Sequence, residues 1–365
     1  MPLPAGKHAV GCRWIFKTKF NSDGKIERHK ARLVAQGFSQ KFGIDYKETF
    51  ASVAKITIVR VLLSVVVNQG WSLYQMDVRN AFLHGDLEEE VFIKLLPGHP
   101  QSRSLNLVCK LHKSIYGLKQ SPQAWHAKLS VALQTLGFTR SNADSSLFIQ
   151  QNSVDKLIVL VYVNDLIITG SNETSVAKLK ADLQRQFSIK ALGKLKYFLG
   201  IEMATSSKGV FLNQRRYILD ILQDVEMLHT KPAITPLDSK LRLDSSSKPF
   251  PTFTTYQIIV GKLIYLTITR SDIIFVVSLL SQYMHAPTTQ YLDMMKRILR
   301  YLKGTISRGI IMTRNGHTDI TGYTDSDWAG NALDRRSTTG YCMFVGGNLV
   351  FWKSKKTTGG YAFKC

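Results

Sequence analysis

The stretch from residue 157 to residue 170 constrains the fold more than any other part of the chain. Two apolar, largely β-branched runs lie on either side of the polar pair Asn164 and Asp165, and Gly170 ends the second run. Strand-forming residues on both sides of a two-residue polar tip predict a β-hairpin. Asn and Asp also tolerate the positive φ angles that a tight turn demands. The sequence therefore predicts a carboxylate at the tip of a hairpin, in front of a sheet that is buried on at least one face.

A second acidic residue lies inside another strand-like run. Asp77 is part of the segment Tyr74–Val78, where apolar residues surround the acid. Two carboxylates that come from separate strands and meet at one sheet edge form a divalent-metal site of the kind used in phosphoryl transfer. We therefore expect Asp77 and Asp165 to lie close together.

The charge of the chain indicates its partner. The 365 residues, enough for two or three domains, carry a formal net charge of +22, and such an excess favours a polyanion, most often nucleic acid. A membrane surface is the competing interpretation, but no basic amphipathic helix with a lipid-facing side stands out. The longest nearly unbroken apolar run, Ile273–Leu280, is also far shorter than the ~18–20 residues of a membrane span. The amino terminus lacks the apolar segment of a secretory signal. The four cysteines are scattered, which is typical of reduced thiols in an intracellular protein.

Residues 1–41 predict a basic hairpin. This segment holds nine Lys and Arg residues and two acids, and the alternating runs 13–20 and 26–35 are separated by a turn at 21–24. A solvated, lysine-rich strand that guards against aggregation is one interpretation of the pattern. A surface that contacts phosphate groups is the other.

Five phrases of the chain, in the same order as in the family, resemble the reverse transcriptase of copia-type LTR retrotransposon polyproteins. They are Lys30–Ala35, Asp77–Asp86, Tyr116–Gln120, Tyr162–Asp165 and Leu195–Glu202. The resemblance covers nearly the whole chain and implies an α+β, right-hand polymerase fold with fingers, a palm built on an antiparallel sheet, and a thumb. It places this polymerase at residues 1–231, a linker at 232–255, a helical connector at 256–306 and a truncated ribonuclease H-like α/β domain at 307–365.

The resemblance also implies an activity and its partners. Members of the family are RNA-directed DNA polymerases, so the partners would be an RNA template, a DNA primer or product, and deoxynucleotides, with no membrane. The cofactor would be Mg²⁺, with Mn²⁺ as an alternative, held by Asp77, Asp165 and the backbone oxygen of Val78. The protein would be intracellular, in a cytoplasmic particle or in the nucleus. The oligomeric state stays open.

One residue departs from the family where the chemistry is done. The family's hairpin carries two aspartates, and this chain has Asn164 at the first of these catalytic positions. An amide offers a neutral oxygen and removes one negative charge from a site that must hold two dications. We therefore predict a reverse transcriptase whose polymerase activity is impaired. The alternatives are a catalytically dead nucleic-acid-binding relic and, third, a truncated product whose solubility would improve on deletion of residues 308–365.

The resemblance assigns nucleotide-binding roles to five residues. Lys30 and Arg32 of the basic hairpin would face the triphosphate, since Arg suits bidentate contact with phosphate. Phe82 would lie beneath the sugar and exclude a 2′-hydroxyl, with plain core packing as an equal alternative. Tyr116 and Gly117 would form a platform on which a base pair stacks, because glycine lets the pair approach the backbone.

Other segments predict supporting parts. The apolar periodicity of residues 56–68 predicts a helix behind the catalytic sheet, and the family usually has Pro where this chain has Ser52. The run Glu88–Glu90 predicts a solvated turn rather than a metal site. Asp325 matches the first catalytic acid of ribonuclease H, but no second nuclease acid follows it before Cys365. We therefore expect no ribonuclease H activity.

Overall fold

The computed structural model describes residues 1–21, 23–101, 107–153, 155–238, 248, 253–328 and 336–356. The chain forms two compact units of mixed α/β structure. The first unit comprises Met1–Lys55 and Ser72–Lys194, and the second comprises Ile56–Trp71 and Leu195–Cys365. One early segment of the chain therefore belongs with its carboxyl-terminal half.

Strands and helices alternate along the described residues. The strands are β1 (Ala9–Val10), β2 (Cys12–Phe20), β3 (Ile26–Ala35), β4 (Leu73–Val78), β5 (Asp86–Lys94), β6 (Val108–Lys113), β7 (Thr139–Arg140), β8 (Leu147–Gln151), β9 (Lys156–Tyr162), β10 (Asp165–Gly170), β11 (Ile189–Lys194), β12 (Tyr197–Phe198), β13 (Ile201–Ser206), β14 (Gly209–Asn213), β15 (Ile310–Thr313), β16 (Ile320–Ser326), β17 (Thr338–Val345) and β18 (Asn348–Lys356). The helices are α1 (Ile56–Gln69), α2 (Ser121–Thr135), α3 (Glu173–Gln186), α4 (Arg215–Asp224), α5 (Phe253–Leu266), α6 (Ile274–Ser281) and α7 (Thr289–Gly304).

A six-stranded antiparallel sheet forms the centre of the first unit, with the strand order β11-β4-β10-β9-β8-β7. The predicted hairpin is confirmed as β9 and β10, which are buried along almost their whole length because they are the middle strands. Their apolar side chains pack with those of α2 and α3 in one core cluster. Burial of each such side chain contributes about 1.5–3 kcal/mol, so the hairpin tip that carries Asn164 and Asp165 rests on a well-packed base.

Strands β2 and β3 form the predicted basic hairpin, and its two faces differ in chemistry. The register pairs Ile15 with Arg32, Lys17 with Lys30 and Lys19 with Arg28. Because directly opposed residues share a face, six cations lie on one side of the hairpin: Arg13, Lys17, Lys19, Arg28, Lys30 and Arg32. The other face is mainly apolar and includes large exposed side chains, among them Trp14, Phe16, Phe20 and Ile26.

The second unit contains a helical core and two small sheets. Helices α4 to α7 contribute to one apolar cluster that includes the fully buried side chains of Tyr256 and Leu280. One sheet has the order β12-β13-β14-β15, and the other has the order β16-β17-β18. Strand β15 pairs with β14, although about a hundred residues separate them, so residues from 310 onward complete a sheet of this unit.

Helix α1 occupies a different place from the predicted one. It packs on β15, β17 and β18 and belongs to the second unit, whereas the six-stranded sheet belongs to the first. The prediction was wrong because apolar periodicity shows that a helix is buried but not which surface covers it. Polar contacts strengthen the packing: Arg60 donates hydrogen bonds to the Val350 carbonyl oxygen at 3.2 Å and to the Ile268 carbonyl oxygen at 2.5 Å. Its guanidinium also lies 3.9 Å from the centre of the Trp352 ring.

Several predictions meet the limits of the described residues. Much of the linker predicted at 232–255 lies outside them, as do the residues beyond Lys356 where the resemblance to the nuclease ends.

The run Glu88–Glu90, predicted as a turn, is part of strand β5. Within the part of the chain that the structure describes, no helix is long and apolar enough to cross a membrane.

Candidate functional site

Asp77 and Asp165 lie directly opposite each other on neighbouring strands. Strand β4 pairs with β10 in antiparallel register, and the two aspartates are partners in that register. Directly opposed side chains of an antiparallel pair point to the same face, with Cβ atoms about 4.5–5.5 Å apart. The sheet therefore brings together the two carboxylates that the sequence predicted to meet, and both are only partly exposed.

The turn that carries the site is one residue earlier than predicted. Asp165 is the first residue of β10 and pairs with Tyr162, so the two loop residues are Val163 and Asn164. The positive φ angle, +54°, occurs at Val163 and not at Asn164 or Asp165. A β-branched residue in this region is strained by about 1–3 kcal/mol and persists only where the surroundings enforce it.

Two hydrogen bonds hold this strained turn. The buried indole of Trp125 donates from Nε1 to the carbonyl oxygen of Val163 at 2.7 Å. The backbone N–H of Val78 donates to the carbonyl oxygen of Asn164 at 2.9 Å. One bond comes from helix α2 and the other from the end of β4, so the turn is fixed against both elements.

Each of the two carboxylates accepts a hydrogen bond from a neighbouring side-chain amide. Asn164 donates from Nδ2 to Oδ1 of Asp77 at 2.6 Å. Gln75 donates from Nε2 to Oδ1 of Asp165 at 3.1 Å. The Asn164 side chain therefore directs an N–H group at Asp77, where an aspartate at the same position would direct a negatively charged oxygen. Sequence reasoning did not identify Gln75, which is two residues from Asp77 and on the same face of β4.

Burial raises the pKa of Asp165 above its ordinary value. The hydrogen bond from Gln75 opposes this rise, and the negative charge of Asp77 adds to it. A positive charge placed between the two aspartates would favour the ionised form of both. The electrostatics of the pair are thus suited to a cation.

Lys190 lies in the same cross-strand row as the two aspartates. It is the register partner of Asp77 on β11, the strand on the other side of β4. The row therefore runs Lys190, Asp77, Asp165 and Tyr162 over four adjacent strands. Lys190 is exposed and places a positive charge beside the carboxylates. No sequence pattern indicated Lys190, because cross-strand pairing depends on which strand adds to the sheet edge.

The donor set fits a hard divalent cation only in part. Mg²⁺ and Mn²⁺ prefer carboxylate, carbonyl and water oxygens, and Asp77, Asp165 and the backbone oxygen of Val78 supply the first two kinds. Among the described residues, no group of three or more His, Cys, Asp or Glu side chains is placed to hold a metal ion. The amide of Asn164 already donates to Asp77. The chain itself therefore offers two acids, and water and substrate oxygens would have to complete the coordination.

The residues assigned to the nucleotide form a stacked group. The guanidinium of Arg32 lies 4.7 Å from the centre of the Tyr116 ring, and the Tyr116 and Phe82 rings meet edge to face with centroids 4.8 Å apart. The Tyr116 carbonyl oxygen accepts a 2.7 Å hydrogen bond from the backbone N–H of Ala35 at the end of β3. The structure thus joins the base of the basic hairpin to this aromatic pair.

Gly117 lies where only glycine fits. Its φ angle is +91°, and an added Cβ would lie 2.1 Å from the carbonyl oxygen of Ala35. A glycine is needed here both for the backbone conformation and for the close contact with β3. The close contact is with the backbone of Ala35, and the predicted approach of a base pair to Gly117 stays a prediction.

Lys30 is partly buried on the cationic face of the hairpin. Burial lowers its pKa, and the positive charges of Arg32, Arg28 and Lys19 lower it further, while the charge of Asp77 acts in the opposite direction. The mutual repulsion of these crowded cations decreases when a polyanion binds among them. A phosphate group is the simplest such anion.

Asp325, matched to a ribonuclease H acid, lies on β16 of the second unit. It is exposed and pairs in register with Gly340 on β17. His84, which lies next to the assigned nucleotide residues in sequence, packs its ring 5.7 Å from that of Trp125 and 5.5 Å from that of Phe187. Burial lowers the pKa of His84, so this residue supports the core below the site.

Comparisons with known proteins agree with the geometry. Residues 1–239 match the family described as reverse transcriptase (RNA-dependent DNA polymerase). The chain is 45% identical over 360 residues to the retrovirus-related Pol polyprotein from transposon RE1 of Arabidopsis thaliana, an alignment that covers 98% of this chain and 24% of that protein. It is 38% identical over 367 residues to the Pol polyprotein from transposon TNT 1-94 of Nicotiana tabacum, covering 97% and 27%.

A shorter relative is matched over almost its whole length. The chain is 33% identical over 287 residues to the putative transposon Ty5-1 protein of Saccharomyces cerevisiae, covering 78% of this chain and 93% of that protein. The chain spans about a quarter of the length of the two Pol polyproteins.

Proposed function

This chain belongs to the reverse transcriptase family, as a domain of the copia-type retrotransposon Pol kind, and we propose that it is an RNA-directed DNA polymerase whose catalytic site is impaired by Asn164. The observation that carries the proposal is the register pairing of Asp77 with Asp165, with the amide of Asn164 bonded to Asp77. Two acids remain, and the third position holds a hydrogen-bond donor.

The units of a right-hand polymerase follow from this proposal. The six-stranded sheet would be the palm, the β2–β3 hairpin the fingers, and α4 part of the thumb. Strands β13 and β14, which form a hairpin, would position the end of the primer. Residues 307–365 would correspond to a ribonuclease H-like domain, with Asp325 on strand β16, the first strand of the β16-β17-β18 sheet.

Template-directed synthesis is an in-line displacement by the primer 3′-hydroxyl on the α-phosphate of a deoxynucleotide. Bound Mg²⁺ would lower the pKa of that hydroxyl and neutralise charge on the phosphates. Asp77 and Asp165 would hold the cation. Arg32 and Lys30 would bind the triphosphate, and the exposed Lys190 adds positive charge on the face where negative charge develops.

Phe82 and Tyr116 would recognise the nucleotide by shape. Their edge-to-face contact fixes the Phe82 ring beside the assigned nucleotide platform. A ring beneath the sugar leaves no room for a 2′-hydroxyl, so the site would select deoxynucleotides. Because Gly117 has no side chain, it would let the base pair approach the backbone of the platform.

The magnitude of the impairment follows from the lost charge. Stabilisation of transition-state charge by a metal contributes several kcal/mol, and each 1.36 kcal/mol changes a rate about tenfold. Weakening, without abolishing, the cation site should therefore lower the extension rate by roughly 10²–10⁴-fold. Binding of template and primer depends on the basic surfaces and should change little.

The experiment compares the full chain with its Asn164→Asp variant on a primed RNA template, in the presence of Mg²⁺ and deoxynucleotides. Asn164→Asp should extend the primer roughly 10²–10⁴-fold faster, because it removes the N–H donor from Asp77 and restores a carboxylate. Asp77→Asn serves as the inactive control. Mg²⁺ should also raise the melting temperature of Asn164→Asp more than that of the unmodified chain, since a tighter ligand stabilises more. Equal extension by the unmodified chain and Asn164→Asp would contradict the proposed impairment.

A nucleic-acid-binding relic is the second candidate, and the hydrogen bond from Asn164 to Asp77 favours it. In that case the chain would bind an RNA–DNA duplex through its cationic surfaces, with strong salt dependence, and neither form would extend a primer. Duplex binding without extension by Asn164→Asp would select this function over an impaired polymerase.

A further inference from the structure

A cavity of about 310 Å³ lies beneath the strained turn, on the side of helix α2. Its wall is formed by the segment 49–53, by the start of α2, and by residues of the β9 strand and turn. The volume is at the lower end of the range for pockets that hold small organic ligands, about 300–1,000 Å³. Nothing in the polymerase chemistry described above uses this space.

The chemistry of the wall defines what the cavity can hold. Of the described residues that line it, none is Lys, Arg, Asp or Glu, although the chain as a whole carries a net charge of +22. A phosphate or carboxylate would lose its hydration there without gaining a counter-charge, which is costly. Nucleotides and the nucleic-acid backbone are therefore poor occupants.

Aromatic and aliphatic side chains supply most of the contact surface. Trp125 and Val161 are buried, and Pro122 is in the first turn of helix α2. Phe50 also lines the cavity, and it is 78% exposed. Burial lowers the pKa of His126, so its imidazole is neutral at pH 7 and adds a further flat, uncharged surface. This combination suits a flat aromatic ring, because stacked and edge-to-face contacts add to the gain from burial.

Ser52 gives the wall a polar group. The family resemblance implies Pro at this position, and here the hydroxyl of Ser52 contacts the hydroxyl of Ser145. A hydroxyl both donates and accepts, so this pair has capacity for a ligand with one N–H or C=O group. Ser52 has no part in the catalytic site, so the replacement of Pro by Ser bears on the cavity.

We propose that this cavity is a binding site for a small, neutral, bicyclic aromatic molecule with one hydrogen-bonding group. The ring lies between Phe50 and His126, and its polar group meets the Ser52 hydroxyl. The bound molecule also touches Val163, whose carbonyl oxygen accepts the hydrogen bond from the buried Trp125 that holds the turn. On the proposed function, occupancy therefore alters the position of the catalytic turn.

The binding experiment uses indole as the probe, with the full chain, by isothermal titration calorimetry. We expect a Kd on the order of 0.1–1 mM, which is what about nine non-hydrogen atoms can supply in an apolar pocket. Indole-3-acetate, which carries a carboxylate, should bind at least tenfold more weakly. Ala51→Phe fills the cavity from its wall and should weaken indole binding at least tenfold, while Val131→Phe, an exposed site on α2 outside the cavity, should leave it unchanged.

A second measurement does not depend on any variant folding. In methyl-labelled protein, indole should shift the resonances of Ala51, Val161 and Val163 and leave that of Val131 in place. Shifts confined to other methyl groups, undiminished binding by folded Ala51→Phe, or equal affinity for indole-3-acetate would each overturn the proposal.

The effect on the turn is measured separately in the Asn164→Asp background. There, indole at ten times its Kd should lower the extension rate at least threefold at saturating deoxynucleotide, without raising KM. If indole binds in the cavity and extension is unaffected, the ligand site stands and its link to the turn is refuted. If Asn164→Asp does not extend at all, the polymerase proposal has failed and the calorimetric result still decides the cavity.

Discussion

Replacing Asn68 by alanine should loosen the attachment of helix α1 to the rest of the second unit. Asn68 is 4% exposed. Its side chain forms hydrogen bonds with two loops outside its own helix, one at residues 315–316 and one at residue 346. Its Oδ1 accepts hydrogen bonds from the backbone N–H of Asn315 at 2.8 Å and of Gly316 at 3.1 Å. Its Nδ2 donates to the carbonyl oxygen of Gly346 at 3.2 Å. The substitution removes these three contacts, together with the hydrogen bonds from Nδ2 to the carbonyl and hydroxyl oxygens of Ser64 within the helix, and keeps the helix backbone intact.

The expected loss follows from what each partner retains. Gly346 keeps a donor, because Nδ2 of Asn315 also bonds to its carbonyl oxygen. The N–H groups of Asn315 and Gly316 lose their acceptor, but both residues are exposed, so water replaces part of the bond and each costs about 1 kcal/mol. Lost packing of the amide adds roughly 0.5 kcal/mol, and the higher helix propensity of Ala returns about 0.5 kcal/mol. The net destabilisation should be about 2 kcal/mol.

The assay is urea denaturation followed by circular dichroism, with Gln69→Ala as the matched control. Gln69 is the next residue of the same helix and is exposed, so its substitution should change the free energy of unfolding by no more than about 0.5 kcal/mol. Asn68→Ala should lower the urea midpoint with an unchanged slope, and lower the melting temperature by about 4–8 °C. If both variants unfold at the same urea concentration, the polar contacts of Asn68 do not stabilise the helix and the reasoning fails.

Two further predictions concern charge. Replacing both Lys17 and Lys19 by Gln on the cationic face of the hairpin should weaken binding of a primed RNA template and reduce the salt dependence of binding by about one to two ions; an unchanged slope would show that this face does not contact phosphate. Burial raises the pKa of Asp165, so the folded chain binds a proton at this carboxyl group more tightly than the unfolded chain does. The resulting contribution to stability is present below the pKa of the unfolded state and is lost as pH rises through the pKa of the folded state. In metal-free urea titrations, Asp165→Asn should therefore gain stability over the unmodified chain from pH 4 to pH 7, and a difference that is constant with pH would count against a buried, perturbed carboxyl group.

The carboxylate pair could be predicted from the sequence because both acids interrupt strongly apolar runs, and only a few sheet arrangements bury such runs. The position of the turn could not. Propensity favours Asn164 or Asp165 at positive φ, but the structure places Val163 there. A tertiary contact decides the matter, since the hydrogen bond from Trp125 fixes the Val163 carbonyl group, and no local pattern reports a bond between residues 38 positions apart.

Partners across long distances in sequence were the other gap. The pattern of helix α1 correctly indicated a buried face, but its partner strands follow more than two hundred residues later. Lys190 was missed for a similar reason, because it reaches Asp77 only through the pairing of β11 with β4. Composition and family phrases therefore located the two acids, whereas the neighbours that set their electrostatics required the strand order.

The attachment of helix α1 has a consequence for how the protein is made. The bond from Arg60 to Val350 joins residues 290 positions apart, so a ribosome adding about 5–20 residues per second releases the second of them roughly 15–60 s after the first. During that interval the first unit can acquire its β4 strand and complete its sheet, while the helix emerging just before it waits with an apolar stripe facing water. Helix α1 therefore stays accessible to chaperones until the strands that cover it, up to about residue 350, have been synthesised.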